Sequence, residues 1–214
     1  MKMENVSQIE RRVKGYWYTD GIGELIGGCL FILLAIYFFL QSFLDKDSTL
    51  INLLQASLAL LVIIGVFVSR WVINRLKTRL TYPRTGYVEY RVDQHNLGRR
   101  RIVVLILGGL VAAMIVGLAK MVGSTSWIPA ATGLIVAVFL FIVQGGTAGQ
   151  YRFYILGAVS IVAGIALSFS GLSEGFALGY YYGLLGLAFV TSGGLVLRRY
   201  LQENPFPMET GHGR

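Results

Sequence analysis

Two carboxylates, Asp20 and Glu24, stand four residues apart in TDGIGELIGG (19–28), where a polar N-terminal segment gives way to a long apolar run. On a helix this spacing puts both on one face. Such a pair can share a proton, because like charges raise one of the two pKa values, or can bind a cation between them. Ionisable groups at membrane depth are costly and for that reason are functional candidates. The same residues have a structural use: each can pair with an arginine such as Arg84 or Arg99 and favour a helix N-terminus through its dipole.

The second stretch with chemical character is RLTYPRTGYVEYRVDQHNLGRRR (79–101), the longest polar run in the chain. The cluster Arg75, Lys77 and Arg79 and the triplet Arg99–Arg101 act as positive-inside charge and attract anionic headgroups. That role does not use Tyr82, Pro83, Arg84, Gly86, Tyr87, Tyr90 and Arg91, which form a restrained, aromatic, two-signed segment longer than a simple connector requires. These residues are the candidate partner-contact surface. Pro83 forces Tyr82 out of helical geometry, a turn is expected at Arg84-Thr85-Gly86, and GYVEYRV then alternates like a short extended segment.

Other chemistry is sparse. No nucleophile elbow, zinc-protease helix, phosphate-binding glycine loop or dinucleotide fingerprint occurs, and neither histidine, His95 nor His212, falls in an apolar run. The single cysteine, Cys29, offers no intramolecular disulfide and no metal cluster. Asn52, Gln55, Gln144 and the tyrosines 180–182 do not converge on a recognisable site. The expectation is a protein that is not an enzyme and carries no cofactor or metal. Nucleic acid is disfavoured as a partner, because the positive charge is committed to the membrane surface.

The elements that must position these residues are membrane helices. With 55% hydrophobic and 14% charged residues and a mean hydropathy of +0.63, the composition is that of an integral membrane protein. Apolar runs at 25–40, 50–68, 102–119, 127–143, 153–169 and 176–197 predict an all-α bundle of six transmembrane helices in a single membrane domain spanning 1–214. Strand-like alternation is absent from these runs, which excludes a barrel. Orientation follows from charge: with the N-terminus inside, all but Lys46 and Lys120 of the 19 Lys and Arg lie on the cytoplasmic side. Both termini are therefore expected in the cytoplasm of a multi-pass inner-membrane protein, with a basic loop at 73–101 and a tail at 198–214. Met3, Val6, Ile9, Val13 and Trp17 recur at helical spacing within 1–20, which predicts a short interfacial helix rather than a cleaved signal.

Small residues mark where helices approach one another in lipid. Gly175, Gly179 and Gly183 share a face of the sixth run, Gly109, Ala113 and Gly117 of the third, and Gly133 and Ala137 of the fourth, while Gly23 and Gly27 begin the first. The third and sixth spans are expected to be central. The openings LIGG (25–28), ILGG (106–109) and ILGA (155–158) are alike. They fit three sequential hairpins, and they also fit chance matching among glycine-rich apolar helices. Polar sequence gathered on one side of a nearly charge-free core points to an accessory or regulatory membrane subunit that contacts a protein partner, or a second copy of itself, through its loop. The alternative is a small proton- or cation-coupled transporter or channel using Glu24.

Overall fold

In a computed structural model the chain is described for residues 19–44, 49–82, 125–141 and 150–205. Within them lie α1 (Ile22–Phe43), α2 (Thr49–Leu76) continued by a π-helical turn (Lys77–Thr81), α3 (Ile128–Phe139), α4 (Tyr151–Ser168) and α5 (Glu174–Glu203). Four of the described helices are long and apolar enough to cross a membrane, one in each of the expected spans 25–40, 50–68, 153–169 and 176–197. The fourth expected span, 127–143, holds α3, whose 12 residues reach about 18 Å at the usual rise and fall short of the hydrocarbon core alone. The third, 102–119, lies outside the described residues, as do the N-terminal segment, most of the loop and the end of the tail.

Helix boundaries follow local chemistry. Gly21 takes a left-handed conformation, φ 70°, just before α1, which a residue with a side chain adopts at a cost. Pro129 sits in the first turn of α3, where its missing N–H would have no partner anyway. The helix α5 begins with Glu174, favourable at the positive end of the dipole, and ends at Glu203 with Asn204 as its cap. Pro205 then disfavours helical geometry at Asn204. The second helix continues past the apolar run, through Leu76 and the π turn, and Tyr82 keeps helical dihedrals (φ −62°, ψ −38°), so the departure from helical geometry expected there from Pro83 does not occur.

The principal packing unit is not a sequential hairpin. The first and last of the described helices, α1 and α5, pair antiparallel over nearly their whole length, far more extensively than α1 pairs with α2. Glycines make this possible. A methyl group on Gly193 would come within 2.6 Å of the Leu25 backbone nitrogen, one on Gly186 within 3.0 Å of the Gly28 carbonyl oxygen, and one on Gly179 within 3.0 Å of the Phe39 ring. Gly175 packs against Ser42 and Gly183 against Ala35, so the glycine face of the sixth run does its expected work. Aromatic rings continue the seam: Phe38 stacks on Tyr182 at 5.4 Å, Phe31 meets Phe189 edge-on at 5.3 Å, and Phe43 meets Phe176 at 5.2 Å. Each such pair adds about 0.5–1.5 kcal/mol beyond its buried area.

The α3/α4 pair is built the same way, with Gly133 and Gly164 in mutual contact and a methyl group on either meeting backbone oxygen at 2.6 Å. Between the two pairs, Leu140, Phe153, Leu156, Tyr181, Leu185 and Phe189 form the core. Ser160 is fully buried there, donating to the Gly133 carbonyl at 2.9 Å and lying 2.7 Å from the Tyr181 hydroxyl. This fastening satisfies every polar atom it buries. Gly23 and Gly27 depart from expectation. A methyl group on Gly23 would meet nothing within 4 Å, and one on Gly27 only the edge of Phe189 at 4.0 Å. Gly21, just before α1, and Gly28 within it are the glycines here that pack closely on α5.

Candidate functional site

The charged groups of the bundle converge at the end where α1 begins, α2 finishes, α4 begins and α5 finishes. This is the end that the distribution of Lys and Arg leads one to expect on the cytoplasmic side. Asp20 is 1% exposed and precedes the first turn of α1, so the i to i+4 helical relation expected between it and Glu24 does not hold. Its Oδ1 accepts the Ile22 N–H at 3.2 Å, and its Oδ2 lies 2.9 Å from Lys77 Nζ and accepts from Thr81 Oγ1 at 3.3 Å. Lys77 and Thr81 belong to the π turn, and both are buried. Short π segments inside helices often occur at functional sites. Here the turn carries two side chains of the α2 extension into the bundle.

Glu24 is in the first turn of α1 and buried. Its Oε1 lies 2.7 Å from Arg152 Nε at the start of α4, and its Oε2 accepts from Ser192 Oγ of α5 at 2.9 Å. The Arg152 contact is ionic: the N–H is not aligned on Oε1, so the pair is close without forming a directed hydrogen bond. The two carboxylates thus each hold a separate cation. Lys77 and Arg152 take the places for which Arg84 and Arg99 were the expected partners, and those two arginines lie outside the described residues. A dry pair of this kind gains from mutual attraction only about what desolvation costs, but removing one member leaves a buried charge uncompensated. The cluster ties α1, α2, α4 and α5 together at one level.

Beside it is a cavity of about 790 Å³, within the size range of small-molecule sites. Glu24, Arg70 and Asn74 line one part of it, and Phe31, Phe139 and Phe189 line another. The space exists because Gly23 and Gly27 present no side chain to it. Comparison with protein-family models, with curated proteins and with solved structures finds no match. The site must therefore be read from its own geometry.

Of the candidate partner-contact residues, Tyr82 ends the described stretch of α2. Pro83, Arg84, Gly86, Tyr87, Tyr90 and Arg91 lie outside the described residues, as does Gln144, and the side chains of Asn52 and Gln55 are likewise not described. Among the described residues no group of three or more His, Cys, Asp and Glu side chains gathers that can hold a metal ion. Lys77, Thr81, Arg152, Ser192 and the Ser160–Tyr181 pair were not singled out from sequence. Arg152 had a usable signal, a lone cation opening an apolar run on the same side as Glu24. Lys77 had none, since it sits among basic residues that topology alone explains.

Proposed function

We propose that this chain is a non-enzymatic multi-pass protein of a cell (inner) membrane, an accessory or regulatory subunit that contacts partners through its basic cytoplasmic segment 73–101. The observation that carries this reading is the attachment of the root of that segment to the bundle. Lys77 and Thr81 are held by buried Asp20, five residues and one residue before the Tyr82–Arg91 stretch begins. A free connector between two membrane helices needs no such fixture. A segment that must present one surface to another protein gains from a rigid base, because pre-ordering lowers the entropy lost on binding. The non-enzymatic part of the reading is supported by the carboxylates, each of which is engaged by a cation and a hydroxyl.

The experiment is gentle extraction from native membranes followed by native mass spectrometry of the intact particle, with the full chain and with residues 81–90 deleted. A protein partner, or a second copy, that is retained by the full chain and lost from the deletion is the expected result. Identical particles from both chains would refute it. A second reading, a small proton- or cation-coupled transporter, has one specific observation in its favour: Glu24 lines the 790 Å³ cavity. On that reading Glu24→Gln abolishes pH-dependent flux in reconstituted vesicles, and unchanged flux removes the carboxylate from the mechanism.

A further inference from the structure

The cavity beside Glu24 has an imbalance of charge. Among the charged side chains described at this end of the bundle, Asp20 is matched by Lys77 and Glu24 by Arg152. Arg70 lines the cavity and, among the described residues, makes no ion pair or hydrogen bond. Of the two charged residues that line the cavity, Glu24 has its counter-ion and Arg70 has none among the described residues, which leaves a positive charge at the mouth of an apolar space. Asn74, one turn further along α2, adds an amide to the same wall.

Depth is equally informative. Arg70 lies two residues past the end of the apolar run 50–68, and its neighbour Trp71 is exposed with the Arg75 guanidinium 5.6 Å over its ring. Trp at a helix end flanked by arginine marks the headgroup level of a bilayer. From Glu24 to Phe31 the cavity runs inward along α1 by seven residues, about 10 Å at the helical rise, into walls of Phe31, Phe139 and Phe189. The side between α2 and α3 is not sealed by packing of those two helices on one another among the described elements. A cation at headgroup depth above an apolar slot of this length has the shape and charge of an amphiphile site.

We infer that the cavity between α1, α2, α3 and α5 binds an anionic phospholipid of the surrounding bilayer, its phosphate on Arg70 and Asn74 and part of an acyl chain against Phe31, Phe139 and Phe189. Glu24 does not repel the headgroup because Arg152 neutralises it. Gly23 and Gly27 are small so that the chain has room, which explains why neither packs closely on another helix. This inference is independent of the role proposed for the loop.

The test uses the full-length protein in detergent, with phosphatidylglycerol or phosphatidylcholine of identical acyl chains added, and native mass spectrometry to measure the lipid retained. Preferential retention of one phosphatidylglycerol is expected. Arg70→Gln should reduce the preference about fivefold, the factor to which about 1 kcal/mol per basic residue corresponds, while Arg70→Lys keeps it. Gly23→Leu, whose new side chain enters the empty space, should reduce retention of both lipids, and Gly27→Leu is the second filling variant if the first expresses poorly. Equal retention of the two lipids by the wild-type protein, or an Arg70→Gln preference equal to wild type, would overturn the inference. So would displacement of the lipid by millimolar inorganic phosphate, which would make the ligand a free phosphate compound.

Discussion

Replacing Lys77 by Met removes the ammonium 2.9 Å from Asp20 while keeping the length and apolar stem of the side chain. Asp20, 1% exposed, is then a buried carboxylate with only the Ile22 N–H and the Thr81 hydroxyl, at 3.2 and 3.3 Å. Breaking a buried pair by removing one partner costs about 3–5 kcal/mol. The two surviving hydrogen bonds are long but real, which sets the expectation at the lower end, about 3 kcal/mol, or roughly a 150-fold shift in the folding equilibrium. Asp20→Asn alone strands the ammonium and should cost a similar amount. The double variant leaves no charge to strand and should recover most of the loss, because a buried pair is worth little more than a neutral replacement. Reversible unfolding by SDS in mixed micelles, followed by tryptophan fluorescence, gives all four free energies of the cycle. Single variants within about 0.5 kcal/mol of wild type, with additive effects in the double variant, would show that the pair is not buried in a water-poor site and would refute the reasoning.

Adjacent glycines in α5 give a sharper geometric check. Gly193→Ala forces a methyl group onto the Leu25 backbone and should destabilise the protein, whereas Gly194→Ala meets nothing within 4 Å and should be neutral or stabilising in the same SDS titration. Tyr181→Phe removes one hydroxyl from Ser160, which keeps the Gly133 carbonyl. The expected cost is about 0.6 kcal/mol, the average for hydrogen bonds between membrane helices, and no more than about 1.7. Arg152→Gln should destabilise more than Arg199→Gln, because Arg199 forms only an exposed pair with Glu203 along one helix, which solvent screens. Equal thermal shifts for these two arginine variants would contradict the burial of the Glu24 pair.

Helix positions were legible because apolar runs of bilayer length have few other interpretations, and the start of α1 and the end of α5 lie within a few residues of the expected spans. The glycines at 175, 179 and 183 were legible for the same reason, since a row of small residues on one helix face needs a close neighbour. Which neighbour was not legible: sequence suggested hairpins, and the structure pairs the first described helix with the last. Local spacing carries no information about a contact between residues as far apart as Glu24 and Ser192, separated by 168 positions. The carboxylates themselves stood out by type, but their partners did not. Lys77 was hidden by being one basic residue among many, and the π turn that buries it with Thr81 leaves no period in the sequence.

That 168-residue separation also sets an order of events during synthesis. At about 5–20 residues per second, roughly 10–30 s pass between the emergence of Glu24 and that of Ser192. Throughout that interval α1 carries a glycine face with nothing against it and a carboxylate lacking its last donor. A chain interrupted before α5 would display both features permanently. The last described helix is thus the point at which the first described one gains its closing donor, and Glu24 reports whether α5 has been made.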